Sequence, residues 1–428
     1  MNTSLTKGRA WWIAIVAGMA SFLDAAAIAG TGTGLLLFQQ EFGFGADVFG
    51  QLSAILTFTI AVGALAGGFL SDRFGRRRVF TVTVAMFAIG ALVLALAPAT
   101  GALYLGMLLV GLAAGADLPA SMAMIAESAP EGSKGKMVAF SHILWMAGVL
   151  AVVFIGVLVG GMGGTGARIL YGILAAIALL TIVARAGLPE SGEWQRARTG
   201  TIVTATGAEA SAASSGGAKA LLASGFLVPL VALTLFYAIA NIPANTNGQF
   251  SAYLYVNAAG TDVSTANLFG LIGIGVSLIG NLTLMRLVDT KYRMLGFVIG
   301  LALSVIGFLI PVLAGVSVST LVAMGVFYAL GGAIAGEPMF KVWAQELFPT
   351  LHRSTAQGIA IAATRVVAAV VALFTPMIIT AGASSMFVLL IVTTVVAGLI
   401  GLLWIPRLPR ARTVESAEAA ESATAGVS

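Results

Sequence analysis

Long apolar stretches joined by short basic turns govern what this chain can become. Phe49–Leu70 and Val79–Leu96 are each long enough to cross the ~30 Å hydrocarbon layer of a bilayer. At their junction lies Gly68-Phe-Leu-Ser-Asp72-Arg73-Phe-Gly75-Arg76-Arg77-Arg78, a turn with four arginines and no room for a domain. Arginine collects in cytoplasmic loops, so this turn orients both helices. The rest of the sequence repeats the pattern: 59% of residues are hydrophobic and 9% charged, against the ~25% charge of a soluble domain. An all-α, polytopic membrane protein follows.

Breaks at Gly, Pro and charged residues divide the apolar sequence into twelve spans. They fall near 11–38, 48–71, 79–98, 102–128, 137–160, 166–187, 224–250, 264–287, 294–314, 318–343, 355–380 and 384–405. No small-residue cleavage site follows the first run, so it is expected to stay as a helix. With both termini cytoplasmic, Arg168 alone falls outside and Arg365 falls deep within a span, while the other placed cations lie inside. Adding or removing one helix near the middle would move about half of these charges to the wrong face. The expected organisation is a six-helix bundle over 1–189, a cytoplasmic linker over 190–223, a second six-helix bundle over 224–406, and a disordered tail over 407–428.

The halves echo each other. Asp72 and Arg76 recur 217 residues later as Asp289 and Arg293. Glu127-x-x-Pro130 with Lys134 recurs as Glu346-x-x-Pro349 with Arg353. Same-sense six-helix repeats related by an axis along the membrane normal belong to one architecture of secondary transporters.

Several functions are excluded by what is missing. The chain has no Cys, no phosphate-binding G-x-x-x-x-G-K-[ST] loop and no H-E-x-x-H, and His142 and His352 stand alone. Neither an enzyme nor a cofactor or metal protein is expected. The net charge of +5 sits in short loops between apolar runs, which marks topology and not a nucleic-acid groove.

The hairpin motif resembles the signature that the major facilitator superfamily carries between its second and third helices. Gly115-Ala-Asp117-Leu-Pro119, Ala126-Glu127-Ser-Ala-Pro130, Pro189-Glu190-Ser191-x-x-Trp194 and Glu346-Leu-Phe-Pro349-Thr350-x-x-Arg353 resemble segments of its sugar porters and metabolite:proton symporters. The resemblance covers residues 10 to 406 and implies a multi-pass transporter of a bacterial-type cytoplasmic membrane. Two features depart from sugar porters: Met107 stands where many carry a fourth-helix Arg, and the seventh helix lacks their Gln-Gln pattern.

Charge inside the bilayer is costly, about 2.5–3.5 kcal/mol on insertion scales, so it marks a partner or a wet cavity. Asp24, Asp117, Glu337 and Arg365 fall deep within spans. A carboxylate there can take and release a proton as a cavity opens to either side. The resembled family places a proton-coupling Asp at Asp24, and Asp117 is a second coupling candidate, or a polar anchor near Pro119. Glu337 and Arg365 are candidates for meeting substrate, Arg365 alternatively countering Asp24 or Asp117, since its charge is permanent. Asn241, Asn245 and Gln249 share one helical face and offer amides to a hydroxylated solute, unless Pro243 breaks the helix there.

Gly68, Asp72, Arg73, Gly75, Arg76, Arg77, Glu127, Glu190, Asp289, Arg293, Glu346 and Arg353 lie at cytoplasmic helix ends. Their charges are expected to form gates that bias a two-state equilibrium. The expected activity is import of a sugar, polyol, sugar acid or organic acid by proton symport, from a single chain acting as a monomer. An uncoupled facilitator and a proton-driven exporter are the alternatives.

Overall fold

The computed structural model describes residues 7–128, 134–186, 226–288, 290–348 and 350–409, and among these residues it contains helices and no strand. The first half comprises α1 (Lys7–Phe42), α2 (Ala46–Phe74), α3 (Arg76–Ala95), α4 (Thr100–Ser128), α5 (Lys134–Val159) and α6 (Gly164–Ala186). The second comprises α7 (Leu227–Ala259), α8 (Val263–Leu287), α9 (Arg293–Ala314), α10 (Val318–Ala335), α11 (Glu337–Leu347) and α12 (Thr350–Leu399). Among the described residues, eleven helical stretches are long and apolar enough to cross a membrane. Side chains such as Val183 (72% exposed) and Leu313 (81%) cover the outside, where a soluble protein would place charge.

The elements differ from the expected spans at two places. The run near 318–343 is not one helix: the chain leaves helical geometry at Gly336 (φ −87°, ψ −132°), and Glu337-Pro338 opens α11. Proline is at home there, because the first turn needs no donor from its nitrogen. The runs near 355–380 and 384–405 join in α12, whose 50 residues include a non-helical Gly382 (φ 162°, ψ 103°). A straight helix of that length would reach roughly 75 Å, more than twice the hydrocarbon layer. Pro243 makes no break: α7 continues through it to Ala259.

Gly75 forms the tip of the basic turn, at φ 99°, a region that a side chain disfavours. It caps α2 and starts α3 one residue later. Within the bilayer there is little hydrophobic drive between helices, so contact comes from close backbone approach at small residues. A Cβ on Gly115 of α4 would stand 2.0 Å from the Ile60 carbonyl oxygen of α2.

Three cores show how the halves meet. One joins both halves and contains Phe38, Phe49, Phe250, Tyr253 and Met386. A second holds Phe236, Phe297, Trp343 and Phe348, all from the second half. A third holds Ala10, Ile13, Phe80 and Met124, all from the first. The shared core lies away from Arg73–Arg78 and the two private cores lie toward that basic end. Polar contacts also join the halves at the far end: the Thr33 hydroxyl donates to Asn267 Oδ1 (2.9 Å), Gln249 Nε2 to the Ser53 carbonyl (3.4 Å), and the Ser264 hydroxyl to the Val157 carbonyl. At the far end, side chains of the two halves pack together and hydrogen-bond to each other.

Candidate functional site

A cavity of about 420 Å³ lies between the halves, walled by α1 and α5 on one side and by α7–α12 on the other. His142 and Trp145 face it from the first half, and Asn247, Gln249, Asn267, Glu337 and Lys341 from the second. Glu337 and Lys341 pair at 2.8 Å, one helical turn apart, with side chains 42% and 52% exposed. Their exposure is to this cavity, which explains how two charges persist at membrane depth. Amides, hydroxyls and an aromatic pair on a largely apolar wall suit a small polar solute.

Asp24 is 2% exposed and sits just behind the wall, beside the lining residue Ala25. The Trp145 indole N–H donates to its Oδ2 at 3.3 Å. Its Oδ1 is buried with no hydrogen-bond partner among the described residues. Such an orphaned carboxylate oxygen is expensive and calls for a proton or a mobile partner. Arg365 acts on Asp24 by charge attraction and Glu337 by repulsion. Arg365 makes no ion pair among the described residues, so its charge is shared through space with Asp24 and Glu337.

Asp117 has a different setting. Arg185 of α6 grips both of its oxygens at 3.0 Å, and the Thr83 hydroxyl donates to Oδ1 at 2.9 Å. Arg185 is 1% exposed, lies 3.7 Å over the Phe80 ring, and donates to the carbonyls of Val16, Ala17 and Phe80. Sequence reading places Arg185 among the loop cations; the structure buries it as the counter-ion of Asp117, the place offered to Arg365. Of the two roles the sequence left open for Asp117, this setting favours the polar anchor. No short-range signal identifies this pair, because its members stand 68 residues apart on different helices.

The three amides share a face as expected, and Asn245 Nδ2 reaches Gln249 Oε1 at 3.4 Å. That face turns mainly into the joint between halves: Gln249 also lines the cavity, whereas Asn241 and Asn245 fall outside its lining. Asn247, Asn267, His142, Trp145 and Lys341 are lining residues that sequence reasoning missed. Of the expected gate residues, Arg293 pairs with Glu346 at 2.5 Å inside the second half. Arg76 donates to Ser71 Oγ at 3.2 Å, Arg73 and Arg77 are exposed at the basic end, and the space beside Gly68 is open. Glu190 and Asp289, and the side chains of Asp72, Glu127 and Arg353, lie outside the described residues.

Comparison with known proteins agrees with this geometry. Residues 16–335 match the family model for the Major Facilitator Superfamily. The minor myo-inositol transporter IolF of Bacillus subtilis (strain 168) is 32% identical over 401 residues, 92% of this chain and 90% of that relative. A crystal structure of a D-xylose-proton symporter superposes with TM-score 0.77 at 20% identity, covering 93% of this chain and 98% of the other. The partially occluded inward-open xylose transporter XylE from E. coli gives TM-score 0.76 at 20% identity, covering 95% and 99%. The chain is a multi-pass membrane protein and no enzyme: it belongs to the Major Facilitator Superfamily, in its sugar-porter branch.

Proposed function

We propose that this protein imports a small polyhydroxylated metabolite, a cyclic polyol or sugar, by proton symport with alternating access. Asp24 carries the coupling proton, and Arg365 supplies the fixed positive charge that steadies its ionised form. Asp117 serves the fold. The observation that carries this reading is the lone oxygen of Asp24, buried one residue from the cavity wall and in the field of Arg365, a cation that makes no ion pair among the described residues. The relative IolF is named for myo-inositol, and the cavity's amides and hydroxyls fit a ring of hydroxyl groups.

The two arms of α12 count as separate spans and α10 with α11 as one, which gives twelve spans with both termini cytoplasmic and the basic end inside. The shared core then closes the outer side, and the cavity is open toward the cytoplasm. The charged helix ends at the basic end act as gates, and one chain forms the working unit.

The test is solute-driven proton movement in proteoliposomes, with myo-inositol, D-xylose and small carboxylates as solutes. External alkalinisation with one class, lost in Asp24→Asn, is the expected result. Solute entry with no proton movement, unchanged in Asp24→Asn, would overturn coupling and leave a facilitator.

A further inference from the structure

Asp24 does not line the cavity; Trp145 does, and Trp145 is also the residue that hydrogen-bonds Asp24. Its indole N–H lies 3.3 Å from Oδ2, and its ring is stacked against His142, with planes 7° apart and centroids 5.8 Å apart. An indole nitrogen can only donate, so this contact favours the charged carboxylate over the protonated one. The other groups that act on the same carboxylate are Arg365 of α12 and Glu337 of α11, while Tyr237 of α7 lies within the reach of its charge. Lys341 and His142 form the next ring outward, both in the field of Glu337. Among these, Trp145 is the group that both touches Asp24 and offers a surface to a solute.

We infer that Trp145 is the positioning residue that links solute occupancy to the proton on Asp24. A hydroxylated solute seated on the indole draws the N–H toward its own oxygen, and Oδ2 loses its donor. The space the indole vacates opens Oδ2 to the cavity, and a hydronium ion there gives its proton to Asp24 and becomes water. When the solute leaves, the indole returns and the proton goes back to water. Solute and proton therefore bind together, which is the sign symport requires. Linkage makes the effect reciprocal: acid strengthens solute binding by the factor through which solute favours protonation.

This inference rests on the symport reading above, and the test separates the two. Binding of myo-inositol to the purified protein is measured by calorimetry between about pH 6 and about pH 8, where a coupling of ordinary size gives the wild type roughly tenfold tighter binding in acid. Trp145→Phe keeps a ring and loses the donor; the acid-to-alkaline ratio is expected to fall below about twofold. Trp145→Gln keeps a donor of similar reach and loses the ring. It is expected to bind more weakly at every pH while retaining most of the ratio. Elution as a single symmetric peak confirms folding of both variants. A Trp145→Phe protein with an undiminished ratio overturns the role of the indole and leaves symport standing. A wild type with no pH dependence, and no proton movement in proteoliposomes, overturns symport and this inference together.

Discussion

At the residue scale, two buried acids with similar sequence credentials have opposite surroundings. Asp117 has three donors and a matched cation, whereas Asp24 has one donor and a bare oxygen. Removing one member of a buried pair strands the other's charge, at about 3–5 kcal/mol. Asp117→Asn is therefore expected to lower the thermal unfolding temperature in detergent sharply. Adding Arg185→Met should recover much of the loss. If Asp117→Asn instead unfolds like the wild type, the pair is not a structural anchor. Asp24 was legible because an acid in mid-span has few explanations, and Arg185 was not. One helical turn from a loop, a cation reads as interfacial, and only the meeting of α6, α3 and α4 shows what it touches.

At the element scale, the joint between the halves depends on backbone approach. A Cβ on Gly50 of α2 would stand 2.1 Å from the Leu373 carbonyl oxygen of α12. Gly50→Ala cannot keep the far-end contact as it stands, so the population should move toward the state open on that side. The chain has no native cysteine, so a lone Ser53→Cys, buried in this joint, reports the change. Its labelling by an impermeant maleimide from outside should rise several-fold when Gly50→Ala is added, by a shift of about 1 kcal/mol in the two-state balance. Equal labelling would show that the joint yields locally. Nearby, Asp262 caps α8 by accepting from the Thr265 hydroxyl (2.6 Å) and N–H (2.9 Å), which holds its carboxyl below the usual 3.8. Its stabilising effect is present above that ordinary value and fades as pH falls through the lowered one. Asp262→Ala should cost roughly 0.5–2 kcal/mol at neutral pH and almost nothing in strong acid, read by thermal unfolding.

Helix existence was readable from apolar length. The break at Gly336 was not, because Gly-rich apolar sequence is equally compatible with a continuous span. Which amides face the cavity was also hidden: helical period gives the shared face of Asn241, Asn245 and Gln249, but not whether that face meets a void or another helix.

At the scale of the whole molecule, the proposed opening of the cavity toward the basic end makes a sided prediction. Lys341→Cys should react with a hydrophilic maleimide in inside-out vesicles far faster than in right-side-out ones. A saturating solute should slow the reaction. Reversed sidedness would overturn the assigned orientation.

The shared aromatic core has a calorimetric consequence. Opening the far end must wet Phe49, Phe250 and Tyr253, while the basic end that would close in exchange is rimmed by Arg73, Arg77, Arg293 and Glu346. The two states therefore differ in hydrated apolar area, and so in heat capacity. Apolar burial loses strength on cooling. Cold should favour the far-end-open state, so that temperature sets the resting direction in which this carrier waits for its cargo.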